Sequence, residues 1–143
     1  MMAGIRGKNT RPELFIRRGL HAAGFRYRLH DRSLPGCPDL VFPGRKAAIL
    51  VHGCFWHGHD CSLFRWPASR REFWEAKIMR NRERDIEVEA SLLHSGWRVM
   101  TIWECALKGR GKLDTDTIIC RTASWLRSNE QTGEIRGETH AGR

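Results

Sequence analysis

Residues 25–30, FRYRLH, alternate in character. Phe25, Tyr27 and Leu29 fall on one side and Arg26, Arg28 and His30 on the other, the period of a strand with one wet, basic face. Pro35, Gly36 and Pro38 then break the chain, and Asp39 to Phe42 reads as a short second strand. After the Pro43-Gly44 turn, the unbroken apolar run Ala47 to Val51 predicts a strand buried on both faces. These three strands are expected side by side in one sheet. Upstream, Thr10 as N-cap, Pro12 in the first turn and the apolar Leu14, Ile16 and Leu20 that follow predict a helix from near residue 12 to near Gly24. Downstream, Ser69 and Glu72 have the spacing of a capping box. The helix they open is expected to run to about His94, with Met79, Ile86, Ala90 and Leu93 inward and Gly96 as its stop. Trp97 to Trp103 is a further β-rich run, and Ile118, Thr122 and Trp125, flanked by Ile119, Ala123 and Leu126, predict a last amphipathic helix. From Ser128 onward the chain is polar and reads as a frayed tail. The pattern predicts one α/β domain, a central mixed sheet flanked by helices, over residues 1–127, with a disordered tail over 128–143.

The length of 143 residues suits one domain with a single core. No apolar run approaches the ~20 residues that span a bilayer, and MMAGIRGKNT has no signal-peptide core. Both argue for a cytoplasmic protein. Lys plus Arg number 25 and Asp plus Glu 16, a net charge of +9. Such an excess points to a partner rich in negative charge, nucleic acid first and an anionic membrane surface second. Six Trp add stacking surface to the chain's core-forming stock. Five Cys cannot all pair internally, so metal binding in a reducing compartment is the better reading.

Residues 52–67, HGCFWHGHDCSLFRWP, fit neither period and concentrate His, Cys and aromatic residues in one irregular stretch. Cys54, His57, His59 and Cys61 lie within it, and Cys105 ends the last predicted strand. Zn²⁺ takes four tetrahedral thiolate and imidazole ligands, so three Cys and one His would make a closed, structural site. The spacing does not choose between His59 and His57 as the imidazole. A ring held beside a pinned loop is also well placed as a general base. Cys37 and Cys120 stand apart and read as packing residues. Asp39, at the start of a strand, is expected at the sheet margin near Val51 and His52, where a carboxylate can hold Mg²⁺. Glu13 is the other acidic candidate, although a first-turn Glu also answers the helix dipole.

The segments FRYRLH, LPGCPDLVFPGRKAAILVHGCFWHGHDC, REFWEAKIMRN with RERD, and GWRVMTIWEC together resemble the very-short-patch repair (Vsr) DNA mismatch endonucleases, from about Ile5 to Gly111. The resemblance implies a restriction-endonuclease-like fold of the PD-(D/E)xK class. It implies a Mg²⁺-dependent enzyme that nicks one strand 5′ of the T in a T:G mismatch left by deamination of 5-methylcytosine. By position, Asp39 matches the metal-binding catalytic Asp, the Val51 carbonyl a second Mg²⁺ ligand, and His57 the catalytic His. His52 and Glu13 match supporting residues. Cys54, His59, Cys61 and Cys105 match the structural zinc set, which selects His59 over His57. Phe55, Trp56 and Trp74 match the aromatic wedge inserted beside the mismatch. Arg6, Lys8, Arg26, Arg28, Arg80 and Arg82 are candidate phosphate contacts.

The strand ILVHG has no Glu-x-Lys, a departure the family shares, with His in place of the missing Lys. The segment before the match is shorter than in the family, so a shortened DNA-gripping arm is expected. Implied partners are T:G-mismatched duplex DNA, mismatch-repair proteins and a cognate cytosine-5 methyltransferase system, for a monomeric enzyme that touches no membrane. The competing readings are a restriction-like nuclease without mismatch preference and a catalytically inactive, zinc-stabilised DNA-binding module. A small-molecule zinc hydrolase would need an open metal site, which three Cys ligands disfavour.

Overall fold

The computed structural model describes residues 10–138. The first helix, α1 (Arg11–Ala22), starts as its sequence dictates: the Thr10 side chain accepts the Glu13 backbone N–H at 3.3 Å. Its inward positions are Glu13, Ile16 and Leu20. The expected strand over 25–30 shrinks to β1 (Arg28–Leu29). Phe25 is buried, but Leu29 is 39% exposed. The alternation fails at His30, which takes a left-handed φ of 47° and turns its ring inward to Glu13. A polar contact at the helix thus overrides the strand pattern.

Strands β2 (Leu40–Phe42) and β3 (Ala47–His52) follow, joined by one 3-10 turn at Pro43–Arg45. Strand β4 (Arg98–Trp103) comes after the long helix α2 (Arg71–His94), and α3 (Thr115–Arg127) precedes β5 (Thr132–Ile135). The sheet order is β1-β2-β3-β4-β5, antiparallel from β1 to β3 and parallel from β3 to β5. The result is a mixed α/β domain.

Alternate strand residues face opposite layers. Leu40, Ile49 and Ile102 join Ile16, Leu20, Ile118 and Trp125 in the main core beneath α1 and α3. Leu50 and Val99 join Leu92, Val88 and Trp97 beneath α2. Val51 therefore ends β3 on the first side, and His52 on the second.

Two details of α2 differ from the sequence reading. Arg70 occupies the N-cap in a left-handed conformation with no side-chain cap, so the Ser69/Glu72 box does not form. Met79 and Ile86 point outward, 57% and 70% exposed. The inward stripe is Trp74, Ile78, Asn81, Asp85, Val88 and Leu92, which also follows helical spacing but carries two polar members. Their presence hid the stripe from an apolar count.

Residues 129–138 are not a frayed tail. Residues 132–135 pair with β4, Ile135 is buried, and Gly133 lies where a Cβ would meet Trp125 at 2.8 Å. Parallel pairing to an existing strand supplies the burial that the short segment cannot supply alone. Among the described residues, no helix is long and apolar enough to cross a membrane.

Candidate active site and metal centre

The end of β3 and the loop after it carry three clusters of titratable side chains. The first lies on the α1 side. Asp39, just before β2, accepts the Val51 backbone N–H through Oδ2 at 2.7 Å. The ligating atoms of Glu13, His30 and Asp39 all lie within 4.8 Å of one another. Glu13 is 1% exposed, and its Oε2 lies 3.0 Å from Arg17 Nη1 and 2.6 Å from His30 Nε2. Burial pushes the Asp39 carboxyl up to about 7; the Val51 N–H works against this, and the nearby Glu13 charge adds to it. Asp39 is thus a half-buried carboxylate with a second carboxylate, that of Glu13, beside it. Hard oxygen donors, the Asp39 carboxylate and the Val51 carbonyl, suit a divalent ion such as Mg²⁺.

The second cluster lies on the α2 side. The His52 and His57 rings stack at 3.8 Å, 5° from parallel. His57 Nδ1 lies 2.6 Å from Asp85 Oδ2. With Asp85 accepting from Nδ1–H, the His57 lone pair is on Nε2, the arrangement of an oriented general base. Burial, then the neighbouring His57, lowers His52 to about 3, so its ring is neutral. Asn81, one turn before Asp85, donates to the Trp56 carbonyl at 2.8 Å and ties the loop to α2.

The third cluster is Cys54, His59, Cys61 and Cys105, whose ligating atoms lie within 4.8 Å of one another. Cys54 Sγ and Cys105 Sγ stand 3.5 and 3.6 Å from His59 Nδ1. Metal–sulfur and metal–nitrogen bonds of about 2.3 and 2.0 Å at tetrahedral angles span about 3.6 Å between ligand atoms. The four residues therefore fit a metal ion with no open position. Burial, then the Cys105 charge, pushes the Cys54 thiol up, and burial also raises Cys105. A bound cation reverses that direction by stabilising the thiolates.

The aromatic expectation is also placed. Phe55 meets Trp56 at 5.2 Å and Trp74 at 5.3 Å between ring centroids, and Trp56 is 37% exposed. Phe64, Trp66 and Phe73 extend this group, with Arg71 over Trp66 at 4.5 Å and Arg70 over Phe73 at 4.3 Å.

The sequence-predicted residues thus divide between clusters: Asp39 and Glu13 in the first, His52 and His57 in the second, and the Cys/His set in the third. Arg28, Arg80 and Arg82 are exposed. Arg26 is exposed too but bonds the Phe25 and His21 carbonyls at 2.9 and 3.2 Å. Arg6 and Lys8 lie outside the described residues. Sequence reading missed Asp85, His30 and Trp103. A polar residue on the inward stripe of α2 is the signal that marks Asp85. Trp103 lies flat on His59, ring centroids 3.8 Å apart, and edge-on to His52 at 5.2 Å. No sequence pattern separates it from a core Trp.

Comparison with known proteins places this chain in a lineage. The family model described as DNA mismatch endonuclease Vsr matches residues 1–63. The type II nicking enzyme V.XorIIP of Xanthomonas oryzae pv. oryzae is 50% identical over 114 residues, 80% of this chain and 84% of the relative. The DNA mismatch endonuclease Vsr of Escherichia coli is 41% identical over 134 residues, 94% of this chain and 86% of the relative. The type II nicking enzyme V.NmeAIP of Neisseria meningitidis is 43% identical over 110 residues, covering 77% of this chain and 79% of that protein. With 41% of positions identical to the Escherichia coli mismatch endonuclease over most of both chains, this chain belongs to the Vsr family of DNA mismatch endonucleases.

Proposed function

We propose that this chain is a Mg²⁺-dependent mismatch endonuclease that nicks one DNA strand 5′ of the T in a T:G mismatch and so initiates very short patch repair. The observation that carries this reading is the pairing of His57 with Asp85 in the loop that follows β3, the strand whose Val51 N–H binds the Asp39 carboxylate. The likeness to the mismatch endonuclease of Escherichia coli supports it. The mixed sheet with Pro38-Asp39 entering β2 supports a restriction-endonuclease-like fold.

Asp39 and the Val51 carbonyl would hold Mg²⁺. Bound there, the ion supplies Lewis-acid stabilisation of charge developing on the scissile phosphate. His57 removes a proton from the attacking water through Nε2, and Asp85 holds the ring in that tautomer. His52, neutral and stacked on His57, fixes the plane of the ring without adding a competing charge. Arg17 and His30 hold Glu13 beside Asp39. Cys54, His59, Cys61 and Cys105 would hold Zn²⁺ as a structural ion that pins the loop. Phe55, Trp56 and Trp74 insert at the mismatch, where a weaker step costs less to unstack.

Exposed Arg28, Arg80 and Arg82 add phosphate contacts that raise affinity without reading sequence. The enzyme acts on cytoplasmic DNA, and its relatives named type II nicking enzymes support pairing with a cytosine-5 methyltransferase. The test is a nicking assay on labelled duplexes that differ only in T:G or T:A. The proposal requires cleavage of the T strand alone and at least tenfold preference for T:G. Equal rates on both duplexes overturn the mismatch reading; full activity of both Asp39→Ala and His57→Ala overturns the assignment of the site.

A further inference from the structure

The segment 132–138 holds to the Cys/His cluster at three successive points. Glu134 accepts the Trp103 indole N–H at 2.8 Å, and Trp103 lies flat on His59. Arg136 grips Asp60 twice, Nη1 on Oδ1 at 2.8 Å and Nη2 on the carbonyl at 3.0 Å. Asp60 sits between His59 and Cys61 in the chain, and its Oδ1 is 3.7 Å from His59 Nε2. The Gly137 backbone N–H donates to Cys105 Sγ at 3.2 Å.

The approach at Gly137 leaves no room for a side chain. A Cβ there would stand 2.3 Å from the Cys105 carbonyl oxygen, and one on Gly111 would stand 2.2 Å from that of Glu138. Backbone therefore lies directly on backbone over the cluster, locked by Glu138 N–H to the Gly111 carbonyl at 2.8 Å.

We infer that this C-terminal strap is the outer shell of the metal centre and governs how long the ion stays bound, an inference that rests on the Cys/His set being a metal site. Outer-shell partners orient ligands and tune their basicity, and removing one typically costs 10- to 100-fold in affinity. Each contact has a definite job. An N–H on sulfur favours the thiolate, the ligating form of Cys105. Three thiolates, one neutral imidazole and a divalent cation sum to a single negative charge, which the Arg136 guanidinium sits close enough to offset. The Asp60 carboxylate, fixed by Arg136, lies 3.7 Å from the outer nitrogen of His59, beyond hydrogen-bond length, as a charge at the ring edge opposite the Nδ1 that faces the thiols. Glu134 fixes the indole against which the His59 ring lies. The strap reaches the catalytic side as well, because Trp103 also faces His52 and His57 edge-on, at 5.2 and 6.1 Å.

The experiment loads the full-length protein with Zn²⁺, then follows its release to a colorimetric chelator in excess. Circular dichroism melting of each variant, zinc-loaded, runs beside it. Gly137→Ala and a chain ended after Ile135 are expected to release zinc about 10- to 100-fold faster than wild type. Arg136→Ala is expected to sit near the low end of that range, with Arg136→Lys partway back, because it keeps the charge and loses the fork. Arg84→Ala, an exposed change on α2, is expected to match wild type. Should Gly137→Ala fail to fold, Arg136→Ala and Arg136→Lys carry the test. Release at the wild-type rate from Gly137→Ala and Arg136→Ala overturns the strap. A wild type that takes up no zinc overturns the metal reading, and the strap with it.

Discussion

The Cys/His cluster and the Asp39 cluster stand at either end of the same few residues, yet they are built on opposite terms. The first offers three sulfurs and one nitrogen, with Cys54, His59 and Cys105 buried and further chain laid across them. The second offers oxygen donors at a partly buried strand end, where burial pushes one carboxylate up to about 7. Soft, closed and fully ligated suits a structural ion; hard and open suits an ion that must also take substrate oxygens. Three His at one strand end and in the loop after it show how local the distinction is. His59 turns to the thiols, His57 to Asp85, and His52, the last residue of β3, stacks on His57.

The sharpest break in the comparison comes from removing one carboxylate and one thiol. Asp39→Ala should lower the nicking rate by at least ~10³-fold while the protein keeps its zinc and its melting temperature. Cys54→Ala should do the reverse in kind: zinc is lost and melting falls by ~10 °C or more, with activity following the fold. Rates and melting curves of the two purified variants decide this. An Asp39→Ala protein that melts like Cys54→Ala contradicts the division. Next in size, Asp85→Asn should slow nicking about 10²-fold with little change in duplex binding, since the amide no longer fixes the His57 tautomer. A filter-binding titration beside the rate separates the two.

Trp74→Ala should cut binding to the T:G duplex by ~1–3 kcal/mol, about 5- to 150-fold, and that to T:A by less. Equal losses on both would make Trp74 a packing residue.

A further pair of effects concerns stability against pH in Mg²⁺-free protein, and the two have opposite signs. The folded Asp39 carboxyl titrates near 7, above its unfolded value of 3.8, so its contribution is full below about pH 4 and lost as pH rises to 7. His52 titrates near 3 in the fold against 6.5 unfolded, so its contribution is lost as pH falls from 6.5 towards 3. Asp39→Asn should therefore raise stability at pH 8 relative to pH 4, and His52→Gln should flatten the acid limb. Urea titrations across pH 4–8 measure both slopes.

Helix α1, strands β2, β3 and β4, and helix α3 were legible because their periodicity coincides with burial. The Cys/His set was legible because so few other jobs suit that composition in a loop. What stayed hidden was hidden for physical reasons. Asp85 and Asn81 interrupt the inward stripe of α2 with the very groups that hold His57 and the loop, so an apolar count chose the exposed Met79 and Ile86 instead. His30 leaves the strand pattern to reach Glu13. Residues 132–138 look like tail because their burial is borrowed from β4 and from the Cys/His cluster, neither of which is visible in the local sequence.

The claim that one strand end serves two unlike metal sites is tested most directly by measuring bound zinc and the T:G nicking rate in the same sample as Mg²⁺ is titrated from zero. The account predicts a single zinc ion per chain throughout, no nicking without Mg²⁺, and saturable recovery as Mg²⁺ is added. Full nicking at zero Mg²⁺, or a rate that tracks zinc content and ignores Mg²⁺, would contradict it.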